Sequence, residues 1–171
     1  MRSTISVRIE APAALVFRLA RDVERWPRLL PHYVRVDPDA RGRAEDGSLV
    51  ARMVARRPLV PVLGLGLPVA WRARTWNEPE TLRLRFVHLG GATSGMDVTW
   101  RIEPDGEGCR VAIDHDFRPR IPGWAAFIDA AFTRPIASRT LATFKGIAES
   151  LAVAGVTAGQ SEAPAAANPR T

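Results

Sequence analysis

Ile5-Ser-Val-Arg-Ile-Glu-Ala-Pro-Ala-Ala-Leu-Val-Phe-Arg-Leu-Ala-Arg-Asp-Val-Glu-Arg-Trp-Pro-Arg-Leu-Leu-Pro31 changes its period as it is read. It begins as an alternating strand, with Ile5, Val7 and Ile9 on one face. Through Ala11-Pro12 it passes into a helical pattern at Leu15, Val16, Leu19 and Ala20. Asp22 to Trp26-Pro27 then predicts a second short helix, ended near Pro31.

Downstream the signals are those of strands. Tyr33–Asp37 predicts a second strand, closed by a turn at Asp37-Pro-Asp-Ala-Arg-Gly42, and Ser48–Ala55 a third. Pro68–Trp76 predicts a fourth, followed by the turn Asn77-Glu-Pro-Glu80. From Thr81 to Leu89 the alternation is strict, with Leu82, Leu84, Phe86 and His88 on one side. Met96–Glu103 and Arg110–Arg118 make a last hairpin around Pro104-Asp-Gly-Glu-Gly108. Strands at hairpin spacing imply one antiparallel sheet.

The period changes again at Gly123. Ile128, Phe132, Ile136, Thr140, Thr143, Phe144, Ile147 and Leu151 recur at threes and fours, predicting a long amphipathic helix that ends near Gly155. Pro135 falls inside it and predicts a kink or a fresh start. Residues 1–155 then form one domain, and Val156–Thr171, rich in Ala, Gly and Pro, reads as a disordered tail.

Composition narrows the partners. With 171 residues, 46% apolar and 25% charged, the chain is long enough for one real core. No apolar run reaches the length of a membrane span and no basic-then-apolar leader opens the chain, so a cytoplasmic protein is expected. A single cysteine, Cys109, lies in an alternating strand without metal-site spacing and reads as a small structural residue. The net charge is +6, yet the 24 basic residues, all Arg except Lys145, are scattered among acids. Only Arg56-Arg57 are adjacent. No basic run is interleaved with aromatics, which argues against nucleic acid, while a diffuse positive surface suits an acidic protein partner.

The β-Ala-Pro-α-Asp-x-x-x-Trp-Pro opening resembles the START-like, or polyketide cyclase/dehydrase, superfamily. Val98-Thr-Trp-Arg-Ile-Glu-Pro104 and Pro135-Ile-Ala-Ser-Arg-Thr-Leu141 look similar to the same family, and the element order matches it across residues 3–153. The resemblance implies an α+β helix-grip fold, a curved antiparallel sheet around one long C-terminal helix, with an apolar cavity between them. One fold hosts many activities, so function has to come from the site.

In such a half-barrel, alternate strand residues face inward, and apolar parity selects the set. On this reading Trp71, Ala73 and Thr75 share the inner face with Leu84, Phe86 and His88, as do Met96, Val98, Trp100, Ile113, His115 and Phe117. The last helix adds Phe132 and Ile136. Trp26, Trp71, Thr75, Phe86, Met96 and Trp100 are therefore candidate ligand contacts, with Phe117, Phe132, Ile136 and Arg139.

His88 and His115 are the polar exceptions on apolar faces. Neutral imidazole can move protons to or from a carbonyl-bearing ligand; alternatively each is a strand-end residue, wet or bonded to the backbone. A metal site would need a third ligand, and His32 has no helical spacing to either, so no metal and no cofactor are expected. Tyr33, the only tyrosine, follows Trp26-Pro27 at a spacing resembling that of the aromatase/cyclases of type II polyketide synthesis. The resemblance implies a pocket tyrosine that donates toward a substrate oxygen; an interfacial strand-start residue is the other reading. That subfamily also carries an inward arginine, whose place here is held by Thr75, with Arg72 and Arg74 pointing out. A bulge near Trp71 would turn Arg74 inward, or Arg139 would substitute.

Pro58–Trp71 carries no charge and predicts either a hydrophobic flap over the cavity mouth or a buried strand extension. The resemblance implies a cyclase acting on a poly-β-ketone presented by an acyl carrier protein, with Tyr33, His88, His115 and Arg74 as the catalytic candidates. The alternative is a non-catalytic quinone or lipid carrier, similar to the coenzyme Q-binding branch. A third reading, a toxin-type interaction module, rests on fold analogy alone. Monomer and homodimer both fit the sequence.

Overall fold

The computed structural model describes residues 1–60 and 65–161. Strand β1 (Arg2–Ile9) leads into α1 (Ala13–Ala20), a 3₁₀ turn (Val23–Arg25) and α2 (Trp26–Leu29). Six strands follow: β2 (Tyr33–Arg43), β3 (Leu49–Val60), β4 (Leu65–Glu78), β5 (Arg83–Gly90), β6 (Asp97–Asp105) and β7 (Gly108–Asp116). The chain then enters a helical run made of α3 (Trp124–Ile128), a π-helical turn (Asp129–Thr133) and α4 (Arg134–Ser161). No helix among the described residues is long and apolar enough to cross a membrane.

The seven strands form one antiparallel sheet in the order β1-β7-β6-β5-β4-β3-β2. Only the β1–β7 pairing is non-local, and it brings the first strand beside the last. That closeness depends on Gly108, because a Cβ there would stand 2.5 Å from the Ile9 carbonyl oxygen. The inner face is the apolar one: Leu84, Phe86, Val98, Trp100, Val111 and Ile113 are all buried. The outer face carries arginines paired to acids, such as Arg72–Asp39 at 2.8 Å and Arg101–Asp114 at 2.7 Å.

Pro12 starts α1 because its fixed φ, here −57°, leaves its carbonyl free to accept from Leu15 and Val16. Val16, Phe17 and Ala20 are buried. The indole N–H of Trp26 donates to the Ala20 carbonyl at 2.9 Å and so closes the end of α1. The α1–α2 layer thereby packs on the same core that α4 covers with Ala137, Leu141, Phe144 and Ala148. Lys145 binds the Arg8 carbonyl and Glu149 the Glu10 amide, each at 2.8 Å, which fastens α4 to the end of β1.

Several boundaries correct the sequence reading. β2 runs through the expected turn at Asp37–Gly42 to Arg43. It is the edge strand, so Pro38 costs the sheet no ladder donor, and a register shift between Pro38 and Arg43 absorbs the extra residues. The reversal comes at Asp46-Gly47, where Gly47 has φ +75° and Asp46 Oδ1 accepts from the Ser48 amide at 2.9 Å. β3 and β4 extend Pro58–Trp71 as a hairpin, Pro58 pairing with Gly66; the tip of the predicted flap, residues 61–64, lies outside the described residues. α4 continues past Gly155 to Ser161, and residues 162–171 of the predicted tail lie outside the described residues.

The irregularity predicted at Pro135 is the π turn just before it. Proline has no N–H to give the Ala131 carbonyl, and its ring would clash there in a regular helix. The turn widens instead, and the Thr133 hydroxyl donates to the Ile128 carbonyl at 3.2 Å.

Candidate functional site

Between the inner face of the sheet and the α3–α4 run lies a cavity of about 130 Å³. Trp26 closes its deep end, ringed by Tyr33 at 5.1 Å, Trp100 at 5.3 Å and Phe86 at 5.8 Å between centroids. Met53, Met96, Val98 and Ile113 line the sheet side; Ile128, Ile136 and Ala137 line the helix side. Ala70 and Ala92 are the exposed lining residues, so the mouth opens between the β3–β4 hairpin, the β5–β6 loop and the π turn. The Trp124 indole donates to the Ala92 carbonyl at 3.0 Å and pins α3 to that loop.

Polar groups on this wall are few. Tyr33 is 7% exposed, and burial holds its phenol well above the usual tyrosine range, partly opposed by the Thr140 hydroxyl. Thr140 donates to the Ile136 carbonyl at 2.8 Å, so it has to accept from His32 Nε2, also at 2.8 Å. His32 therefore carries its proton on Nε2, leaving Nδ1 buried and without a partner. Tyr33, Thr140 and His32 form a polar seam behind the aromatic ring cluster.

The second polar group is at the mouth. His88 stacks on Trp71 at 5.8 Å, with 20° between planes, and its Nδ1 lies 2.7 Å from the Thr93 hydroxyl. His115, 7% exposed, has a buried Nδ1 with no partner. Desolvation pushes His88 down to about 4, with nearby His115 adding to the effect. His115 also falls to about 4 through desolvation, against the opposing pull of the Asp129 and Asp114 carboxylates. His32 reaches about 4 by burial and the proximity of Arg139. All three imidazoles are neutral at pH 7 and serve as hydrogen-bonding groups and weak bases, not as stored acids. Among the described residues no three His, Cys, Asp or Glu side chains converge as metal ligands.

Of the predicted residues, Tyr33, His88, His115, Trp26, Trp71, Phe86, Met96, Trp100, Phe132 and Ile136 line this cavity. Thr75 and Phe117 are buried but pack into the solid core instead of the cavity wall. Arg74 is a correction: it is exposed, bonded to Asp46 at 2.8 Å and stacked over Trp76. A bulge does occur nearby, but the extra residue is Leu89 on β5, between the Arg72–Gly90 and Ala73–His88 pairs. β4 keeps its alternation because its pairing with β3 is unbroken from Leu49–Thr75 to Pro58–Gly66. Arg139 is likewise exposed, on the solvent side of α4. Sequence reasoning missed the partnership of His32 with Thr140; the signal was a threonine within the apolar stripe of the last helix.

A curved antiparallel sheet gripping a long C-terminal helix over a hollow, apolar interior defines the helix-grip class. The chain belongs to the polyketide cyclase / dehydrase and lipid transport family, whose model matches residues 1–149. It is 30% identical over 114 residues to the granaticin polyketide synthase bifunctional cyclase/dehydratase of Streptomyces virginiae, covering 65% of this chain and 34% of that protein. It is 29% identical over 139 residues to the actinorhodin counterpart of Streptomyces coelicolor, covering 78% and 41%. The chain thus spans well under half the length of these curated relatives. The crystal structure of the Zhui aromatase/cyclase from Streptomyces sp. R1128 superposes with a TM-score of 0.70 at 21% identity, over 87% of this chain and 93% of that one, a likeness of fold.

Proposed function

We propose that this protein binds an oxygenated apolar chain, a poly-β-ketone delivered by an acyl carrier protein, and promotes its cyclisation and dehydration. The observation that supports this most is the composition of the cavity wall: aromatic and aliphatic throughout, with the Tyr33 and Thr140 hydroxyls at one end and His88 and His115 at the other. An apolar wall folds the chain and excludes water, while the spaced polar groups meet its ketone oxygens.

In ring closure the enol carbon forms the new bond to a ketone carbon as the C=O π bond breaks. The ketone oxygen gains a proton and the enol hydroxyl loses one; loss of water follows. Tyr33 stays protonated and acts as a hydrogen-bond donor to the ketone oxygen, since a buried phenolate is strongly disfavoured. The His115 imidazole on the cavity wall accepts the enol proton and, as a strongly acidic imidazolium, gives it to the alkoxide forming from the ketone, so the proton balance closes. An imidazole held near 4 is a weak base, so positioning supplies most of the acceleration, on the order of 7–11 kcal/mol in favourable intramolecular cases. The net charge of +6 suits docking of an acidic carrier.

The test is incubation of the purified protein with a carrier-bound polyketide and its minimal synthase. A new cyclised product is expected, and Y33F and H115Q lower its yield; an unchanged product profile overturns the proposal. The outward Arg74 favours a second reading, a carrier of quinone or lipid, since no arginine among the described residues lines the cavity wall. Native mass spectrometry of the purified protein then finds a bound apolar molecule, and empty protein from several hosts refutes that reading.

A further inference from the structure

Arg56 and Arg57 are the only adjacent basic residues in the chain, and neighbours on a strand point to opposite faces. On β3 the inward residues are Ala51, Met53 and Ala55, each no more than 1% exposed, and Arg57 is next in that series. Arg56 is exposed on the outer face. Arg57 is half-buried, and its guanidinium carbon lies 5.8 Å from the centroid of Phe132, a cavity-lining ring within the π turn.

Of the outer-face arginines, Arg72, Arg74, Arg85 and Arg101 each pair with a carboxylate, whereas Arg52 and Arg56 have no ion pair among the described residues but stand exposed to water. Arg57 has no such partner among the described residues, and its Nε is buried with no hydrogen bond. The sequence that follows, residues 58–65, contains no acidic residue that could supply one. A desolvated guanidinium donor without an acceptor is costly, and an aromatic face compensates only part of its lost hydration. The planar fork of N–H groups matches a carboxylate or a phosphate, whose binding there would complete the missing hydrogen bonds.

We infer that Arg57 is an anion subsite at the cavity mouth, and that the ligand is amphipathic, with an apolar body inside and a carboxylate or phosphate head at Arg57. This rests on the cavity-binding reading above and adds the chemistry of the ligand's outer end. It also places the inward-facing arginine on β3, a different strand from the one the sequence singled out.

Calorimetric titration with 2-naphthoate, its neutral methyl ester and 2-naphthyl phosphate separates the possibilities. The wild-type protein binds at least one anionic probe roughly tenfold or more tightly than the ester, a preference that weakens as salt is raised. The better of the two anions identifies the head group. R57Q abolishes the preference and leaves ester affinity unchanged; R57K keeps part of it. Equal binding of ester and both anions by the wild type, or an R57Q loss shared equally by all three, overturns the subsite while leaving the cavity reading intact. Absence of binding by every probe overturns the cavity reading and the subsite with it. The wild-type comparison needs no variant, so the inference stays testable even if R57Q folds poorly.

Discussion

Mild acid should unfold this protein through its three histidines. His32, His88 and His115 are each held near 4 by burial, whereas in an unfolded chain they titrate near 6.5. The folded state thus keeps them neutral while the unfolded state takes up protons. Stability is full above about pH 6.5 and is lost as pH falls toward 4. At pH 5.5 an unfolded imidazole is about ten-to-one protonated, which favours unfolding by about 1.4 kcal/mol; at pH 7.5 the figure is about 0.1 kcal/mol. Three such groups remove about 3–4 kcal/mol between pH 7.5 and 5.5, a large share of a typical 5–15 kcal/mol. The carboxylates that ion pairs and hydrogen bonds hold low, such as Asp39, Asp46 and Asp116, contribute only below this window. Urea unfolding at pH 7.5, 6.5 and 5.5 measures the slope, and H115Q should flatten it by about a third. The reasoning fails if the slope is flat, if H115Q leaves it unchanged, or if NMR titration of the folded protein finds the imidazoles near 6.5.

Other substitutions probe the remaining parts. T140V deprives the His32 Nε2–H of its acceptor and should cost about 1–3 kcal/mol in urea unfolding, although the side chain barely changes size. W26A removes the indole bond to Ala20 and the hub of the aromatic cluster, at a cost of about 3–5 kcal/mol in the same assay. R74A breaks only an exposed ion pair and a stacking contact on Trp76; it should shift stability by less than about 1 kcal/mol and leave probe binding unaltered, since Arg74 faces away from the cavity. D46A also removes the acceptor of the Ser48 amide at the reversal and should cost more.

The fold was legible because its signals are local. Alternation on β5, β6 and β7 names the buried face directly, and the Trp26-Pro27 and Pro12 positions fix how the first helices start and stop. The extent of β2 was not legible, because whether Asp37–Gly42 turns or pairs depends on having an edge to occupy. The polar site was half legible. His88 and His115 break apolar series and can be seen, as can Tyr33. The His32–Thr140 bond joins residues 108 positions apart and exists only once α4 packs beside the turn between α2 and β2. The arginines were illegible for a related reason: Leu89, not a β4 residue, takes the bulge, and Arg57 falls at the far end of the β3 inward series, past the apolar residues that mark it.

The widened coil ahead of Pro135 gives the entrance a separate adjustment. Downstream, Leu141, Phe144 and Ala148 lock the long helix to the interior; Phe132, within the coil, lines the entrance, and Phe127 and Trp124 stack behind it. Because a widened turn takes up one extra residue, the Asp129–Thr133 segment can lose that residue and return to ordinary winding without rotating the faces on either side of it. Gate and vault can therefore diverge independently, so homologues with the same interior could admit differently shaped guests.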